Sequence, residues 1–272
     1  MNAQIGRSGK STFGFMRFVK QIWQLIFCVL YFIYSIPQVV ALALFPKKNL
    51  RNMFAKLEEK EFQARLAQMA PHLSAGERVL DIGAGTGRFG YVVQRALGVR
   101  VMGVDVLDYA DAPIEMRVYD GQRLPFADAS FDACLLVFVL HHCRDHDAVF
   151  QEALRVARKR IIVFEDTYDS VWQMLFVKWN DFQTNILQGL IKALKGLAKI
   201  GITKMPLPLT FRSVRAWHDY FSRYPVTVEA EELRDMGYKP LTKVMFCLKK
   251  NRGPGDGSSE KEGDRGFPGF DR

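Results

Sequence analysis

The first 57 residues contain no aspartate or glutamate, although eight bases occur there: Arg7, Lys10, Arg17, Lys20, Lys47, Lys48, Arg51 and Lys56. The remaining residues hold 30 bases and 29 acids, so nearly all of the formal charge of +9 belongs to this leader. Basicity confined to one end does not make the basic face that a nucleic-acid binder needs, and no nucleic-acid partner is expected. Cysteine is scarce. Cys28, Cys134, Cys143 and Cys247 include no CxxC pair, which excludes a disulfide scaffold, argues against a structural zinc site and fits a reducing compartment. There is no internal repeat. With 49% apolar and 25% charged residues the chain is neither wholly disordered nor collagen-like, and 272 residues leave room for one large domain with attachments.

A second absence is of charge: Ile22 to Phe45 carries none, with Lys20 before it and Lys47-Lys48 after it. Apolar residues fall on every face of a helix drawn through this run, which is long enough to cross about 30 Å of hydrocarbon. The run reads as a membrane-embedded segment. A core helix of the soluble domain and a cleaved signal peptide ending near Ala41-Leu42-Ala43 are the competing readings. The long basic leader and the length of the run speak against the signal peptide. Basic flanks on both sides choose no orientation, and Pro37 invites a kink or a re-entrant bend.

After a helix expected over Asn49–Ala70 and ended by Pro71, strands and helices alternate. Strands are expected at Arg78–Ile82, Arg100–Val104, Glu115–Tyr119, Phe131–Val137 and Arg160–Phe164, with helices at Arg88–Leu97 and Asp145–Ala157. Near-continuous apolar strands in such alternation imply a parallel sheet covered on both faces. Helices follow over Val171–Ile200 and Phe211–Tyr224, the second opened by Thr210 or Ser213. Pro225–Glu231 and Thr242–Lys249 read as an antiparallel edge pair, and the Gly-, Pro- and charge-rich 251–272 as disorder.

The most informative stretch is Val79-Leu80-Asp81-Ile82-Gly83-Ala84-Gly85-Thr86-Gly87. A strand ends, three glycines alternate and a helix begins, which is where a doubly wound sheet binds its ligand. The free N–H groups of the new helix favour an anion. Asp105 ends the second strand, where a carboxylate can accept both hydroxyls of a ribose. The nicotinamide fingerprint GxGxxG fits poorly, because Arg88 stands in its sixth place.

VLDIGAGTG, then GVD, then YDGQRLPFADASFDACLLVFVLHH resembles the class I S-adenosylmethionine-dependent methyltransferases, in particular the type 11 methyltransferase domain group, over about residues 77–166. The resemblance implies an α/β fold, a doubly wound, mostly parallel seven-stranded Rossmann-like sheet, and S-adenosylmethionine as cofactor. It implies that Gly83, Ala84, Gly85 and Gly87 pack against the methionine part of the cofactor and that Asp81 holds that end. Asp105 would bind the ribose, Asp120 the adenine amino group, Gly121 the ring edge, and Phe138 would lie near the sulfonium or pack in the core. Two departures stand out. The 14 residues between Asp105 and Asp120 are too few for the usual helix, and Ala157-Arg158-Lys159-Arg160 replaces the usual Lys-Pro-Gly-Gly turn, which should alter a loop.

Methyl transfer from a sulfonium mainly needs alignment, and a base only if the acceptor loses a proton. His141-His142 after the fourth strand and Glu165-Asp166 after the fifth fall at the carboxyl edge of the sheet and are the catalytic candidates; helix capping is the plain alternative for the acids. His141, His142 and Cys143 do not suggest a metal, since adjacent ligands point apart, and no metal is expected. Ile186–Ile202 places apolar residues at helical spacing with Lys192, Lys195 and Lys199 among them, as in a lid or a membrane-lying helix. Trp172, Leu175, Phe176 and Trp179 are expected to wall an apolar pocket.

The sequence thus reads as a membrane-associated methyltransferase with a cytoplasmic catalytic domain and a small, apolar or lipid-like acceptor. Its expected parts are a membrane segment at 1–48, a linker helix at 49–76, a methyltransferase domain at 77–250 with a lid at about 170–224, and the tail. A soluble small-molecule methyltransferase with its N-terminal helix packed on its own lid, and a non-catalytic cofactor-binding or scaffolding protein, are the rivals. The intact set of Asp81, glycines, Asp105 and Asp120 speaks against the last.

Overall fold

The computed structural model describes residues 8–108, 110–196, 208–236 and 240–251. The expected tail, apart from Asn251, and residues 197–202 of the amphipathic stretch lie outside them. Strands β1 (Arg78–Ile82), β2 (Arg100–Asp105), β3 (Glu115–Val118), β4 (Phe131–Val137) and β5 (Ala157–Thr167) are parallel, and β6 (Val226–Asp235) and β7 (Thr242–Lys250) form an antiparallel hairpin whose β7 pairs with β5. The sheet order is β3-β2-β1-β4-β5-β7-β6. The order reverses between β1 and β4, which opens the ligand crevice at their carboxyl ends.

The central strands are apolar along most of their length, Asp81 of β1 and Asp132 of β4 excepted, because both faces are covered. On one face Leu80, Ile82, Met102, Val104 and Leu136 pack with Phe150 of α4 (His146–Val156) and with Trp217, Tyr220 and Phe221 of α7 (Val214–Phe221). On the other, Val79, Val101, Leu135 and Ile162 pack with Phe62 and Met69 of α2 (Lys47–Met69) and Phe89 and Val93 of α3 (Arg88–Leu97). Ser213 is the residue that opens α7, its side chain accepting the Ala216 N–H.

Both departures have structural outcomes. Among the described residues no helix joins β2 to β3, and Ile114 in the connection lies under the start of α3, within 3.2 Å of where a Gly87 Cβ would stand. Ala157–Arg160 is not a loop: α4 passes directly into β5 there, with a register shift between Phe131 and Ala133 of β4. Lys159 reaches Glu77 at 3.0 Å, and Arg158 reaches Asp132.

The uncharged run lies in one helix, α1 (Ser8–Leu44), which continues through Pro37 rather than breaking or bending back there. It lies against α5 (Val171–Phe182), which runs on through a π-helical turn (Gln183–Gln188) into α6 (Gly189–Leu194). The side chains α1 turns to the protein include the polar ones, Gln24 to Ser170 (2.8 Å), Tyr31 to Asn180 (3.2 Å) and Ser35 to Trp179 (3.3 Å). Trp23, Val29, Leu30, Ile33 and Val40 face outward. The aromatic residues expected to wall a pocket pack on α1 instead, Phe176 on Tyr31 and Trp179 on Phe32, while Leu175 is exposed.

Candidate active site

Strand β1 delivers the chain into a loop where Gly83, Gly85 and Gly87 all have positive φ, at 72°, 59° and 75°. Only glycine takes this course freely, and at Gly83 a Cβ would also stand 2.6 Å from Val139 Cγ2. The Gly83 and Ala84 N–H groups donate to Val104 O at 2.8 and 3.0 Å, and Gly85 N–H donates to Asp105 Oδ2 at 2.9 Å. The glycine loop is thereby tied to the end of β2. Gly87 opens α3 without a side-chain cap, so the first-turn N–H groups have room for an anion. A zwitterionic nucleoside cofactor fits this donor set: a carboxylate at α3, and ribose hydroxyls at the Asp105 carboxylate, which also accepts the Gly85 and Leu107 N–H groups.

Asp81 is buried on the α2 side of the sheet. Burial raises its pKa to about 7, Asp105 pushes the same way, and the Arg65 guanidinium opposes both. Arg65, from α2, lies over the rings of Phe62, Phe89 and Phe138 at 5.5, 5.3 and 5.0 Å, within the field of Asp81 and Asp166. It thus spans the carboxyl ends of β1 and β5. The sequence reading missed Arg65, whose only signal is its place one turn after Glu61 and Phe62 on an amphipathic helix.

On the side expected to take the adenine, Tyr119 N–H donates to Asp105 O at 3.0 Å, which brings Asp120 and Gly121 beside the end of β2. The exposed Asp120 carboxylate accepts Gln122 and Arg123 N–H, and these bonds lower its pKa. Gly121 has φ 79°, and a Cβ there would approach Val106.

Among the residues expected to be catalytic, strand alternation sends Glu165 and Asp166 to opposite faces of the sheet. Glu165, fully buried, accepts the Leu140 N–H at 2.9 Å and bonds His141 Nδ1. Asp166 faces Lys243, and its buried Oδ1 has no hydrogen-bond partner. Burial raises the Asp166 pKa against the pull of Lys243 and His141. His141 is stacked on Phe211 at 4.5 Å. Burial pulls its pKa down, but the Glu165 and Asp181 carboxylates outweigh this and raise it to about 10, which favours the imidazolium. His142 is the more exposed of the two.

Asp181 of α5 was not foreseen. Its Oδ1 lies 3.8 Å from Nε2 of both histidines and accepts Asn185 Nδ2 at 2.7 Å. The adjacent imidazoles therefore converge, against the expectation that they point apart. One donor atom from each of the three residues lies within 4.8 Å of the others. Phe138 offers its ring to Arg65 and to Lys243, each at 5.0 Å.

Comparison with known proteins agrees with this geometry. The profile of a family described as "Methyltransferase domain" matches residues 80–164. A demethylmenaquinone methyltransferase of Mycolicibacterium vanbaalenii is 28% identical over 74% of this chain and 87% of its own. One from Mycobacterium sp. (strain KMS) is 30% identical over 63% of this chain and 74% of its own. The 27-O-demethylrifamycin SV methyltransferase of Amycolatopsis mediterranei is 36% identical over only 35% and 39%. Among solved structures, a chain of the complex between the Haloferax volcanii Trm112 methyltransferase activator and a methyltransferase superposes with a TM-score of 0.53 at 14% identity, covering 75% of this chain and 98% of that one; it speaks for the fold alone.

Proposed function

The chain belongs to the S-adenosylmethionine-dependent methyltransferases, and we propose that it methylates a small, apolar, lipid-like acceptor at a membrane surface. The observation that carries the membrane part is the inverted polarity of α1. A helix on a soluble domain buries its apolar stripe. Here Gln24 and Ser35 are buried while Trp23, Leu30, Ile33 and Val40 are exposed, as suits a helix bathed in hydrocarbon. Leu175, Leu190 and Leu194 extend the exposed apolar surface along α5 and α6. The relatives named for demethylmenaquinone support an acceptor of this class.

When bound, the cofactor supplies an electrophilic methyl group. In this reading Asp105 binds the ribose, Asp120 and Gly121 flank the adenine, and the glycine loop with the first turn of α3 receives the methionine carboxylate. Asp81 takes the ammonium, and Arg65 balances its charge. On the acceptor side His141 is held as a cation by Glu165 and has no free role as a base. His142 takes the proton of a hydroxyl or enol acceptor. Asp166 closes the opposite side of the crevice.

The test uses full-length protein in detergent and then in vesicles carrying demethylmenaquinone as probe acceptor, with mass spectrometry of products and of co-purifying lipid. Methylated product made faster in vesicles than in dilute detergent is expected. No vesicle association, together with equal turnover of a water-soluble hydroxyaromatic, would overturn the lipid reading. That second reading, a soluble small-molecule enzyme, is favoured by one observation, the seating of α1 on its own lid helix.

A further inference from the structure

Side-chain hydrogen bonds from α1 to α5 and its N-cap come from Gln24, Cys28, Tyr31 and Ser35, spaced four, three and four residues apart on one face of the helix. Their partners are Ser170, the Trp172 carbonyl, Asn180 and Trp179, and Gln183 Nε2 donates to Ser35 O at 3.4 Å. The same stretch carries Asp181, the residue that meets His141 and His142. Asn180, held by Tyr31, is its neighbour in sequence, and Phe176 and Val177 pack between α5 and Tyr31. In a chain otherwise apolar for two dozen residues, polar groups that line up on one face and meet one helix mark a fixed seam rather than loose adhesion.

We infer that α1 is a working part of the acceptor half of the site: through its polar seam it fixes α5, and α5 sets Asp181 as the positioning residue for His142. The glycine loop is held by Val104 and Asp105, and Arg65 packs on Phe62, Phe89 and Phe138, so the cofactor half has supports of its own. The inference rests on the proposed role of His142 but not on which acceptor is used. A helix lodged in the bilayer and also holding the lid places the acceptor site at the membrane face. Lipid-borne acceptors then reach it without crossing water.

The experiment takes full-length protein in nanodiscs, labelled with ¹⁵N-histidine, and compares three variants. Tyr31→Phe with Ser35→Ala cuts the seam, Asp181→Asn removes the positioning charge, and Leu30→Ala with Ile33→Ala alters only the outward face. The seam variant and Asp181→Asn should move the same His142 imidazole resonances in the same direction. Backbone exchange over residues 171–188 should rise about tenfold or more in the seam variant, with S-adenosylmethionine affinity within twofold of the parent in all three. With demethylmenaquinone vesicles, kcat should fall with little change in cofactor KM. Unchanged histidine resonances in the seam variant would overturn the inference, as would a loss of cofactor affinity equal to the loss of turnover. Absence of transfer to demethylmenaquinone in the parent would count against the acceptor reading, and the resonances would still decide this one.

Discussion

Asp105 Oδ2 accepts the Gly85 N–H at 2.9 Å, so the residue expected to bind the ribose also holds the glycine loop closed against β2. Asp105→Ala removes both functions. Hydrogen bonds to a charged group are worth about 1.5–3 kcal/mol each, so calorimetry should show at least a tenfold loss of S-adenosylmethionine affinity. Asp105→Asn keeps one acceptor oxygen for the loop and should lose less. Equal affinity in parent and alanine variant would remove Asp105 from the site.

In the proposed role of Asp81, cofactor binding should depend on pH. Its pKa of about 7, raised by burial and by Asp105 from near 3.9, leaves it protonated in the empty site below neutrality. Without cofactor, the folded chain holds a proton that the unfolded chain releases between about pH 4 and 7, so stability falls as pH rises through that window. A cationic ligand favours the carboxylate. Affinity should therefore rise with pH up to about 7, by at most about tenfold per unit, and then level off. Titration in two buffers of different ionisation enthalpy should reveal proton release at pH 6. Removing the opposing cation with Arg65→Met should shift this profile to higher pH.

What the sequence revealed and what it hid follow from range. The strand edges, the glycine turn and the hairpin were legible because each is local: alternation, positive φ and terminal caps leave marks within a few residues. The absence of a helix after β2 could be read because the 14 residues before Asp120 could not hold one. Arg65 and Asp181 were not legible. Each sits on a helix far along the chain from its partners, and only packing brings them to the carboxyl edge. The split of Glu165 from Asp166 was implicit in strand alternation, yet it becomes visible only once β5 is seen to run to Thr167. For α1, composition spoke of a membrane and left packing on the domain's own lid as a rival, but it did not single out Gln24 and Ser35 as the residues that meet Ser170 and Trp179.

Glu61 joins α2 to the hairpin through Arg234 at 2.6 Å and Lys243 at 2.7 Å. Burial pushes its pKa up, but Lys243 and Arg234 prevail and hold it at about 2. Its contribution is present above the ordinary glutamate range near pH 4.3 and is lost as pH falls through about 2. Glu61→Gln should cost about 1.5–3 kcal/mol at neutral pH, measured by denaturant unfolding, and the gap from the parent should close in acid. A gap that stays constant from pH 7 to 2 would mean that the ion pairs contribute nothing.

The remaining prediction concerns α1 itself. If its outward face lies in hydrocarbon, Leu30→Lys with Ile33→Lys places two charges where a lysine costs about 2.5–3.5 kcal/mol each. Flotation with vesicles and resistance to carbonate extraction should both fall, while the seam stays intact and S-adenosylmethionine still binds. Deleting residues 1–48 is a harsher change. It uncovers Phe176 and Val177 and removes the partners of Asn180, Trp179 and Gln183 on a lid next to Asp181. The truncated chain should keep the sheet and glycine loop, which begin after residue 76, and hence bind the cofactor. Its lid should be loosened, and it should aggregate more readily than the double lysine variant. These two variants separate the two roles proposed for the helix. If the lysine variant stays in the carbonate-resistant membrane fraction, α1 is not embedded; if the truncation retains full turnover on a vesicle-borne acceptor, it is neither anchor nor part of the site.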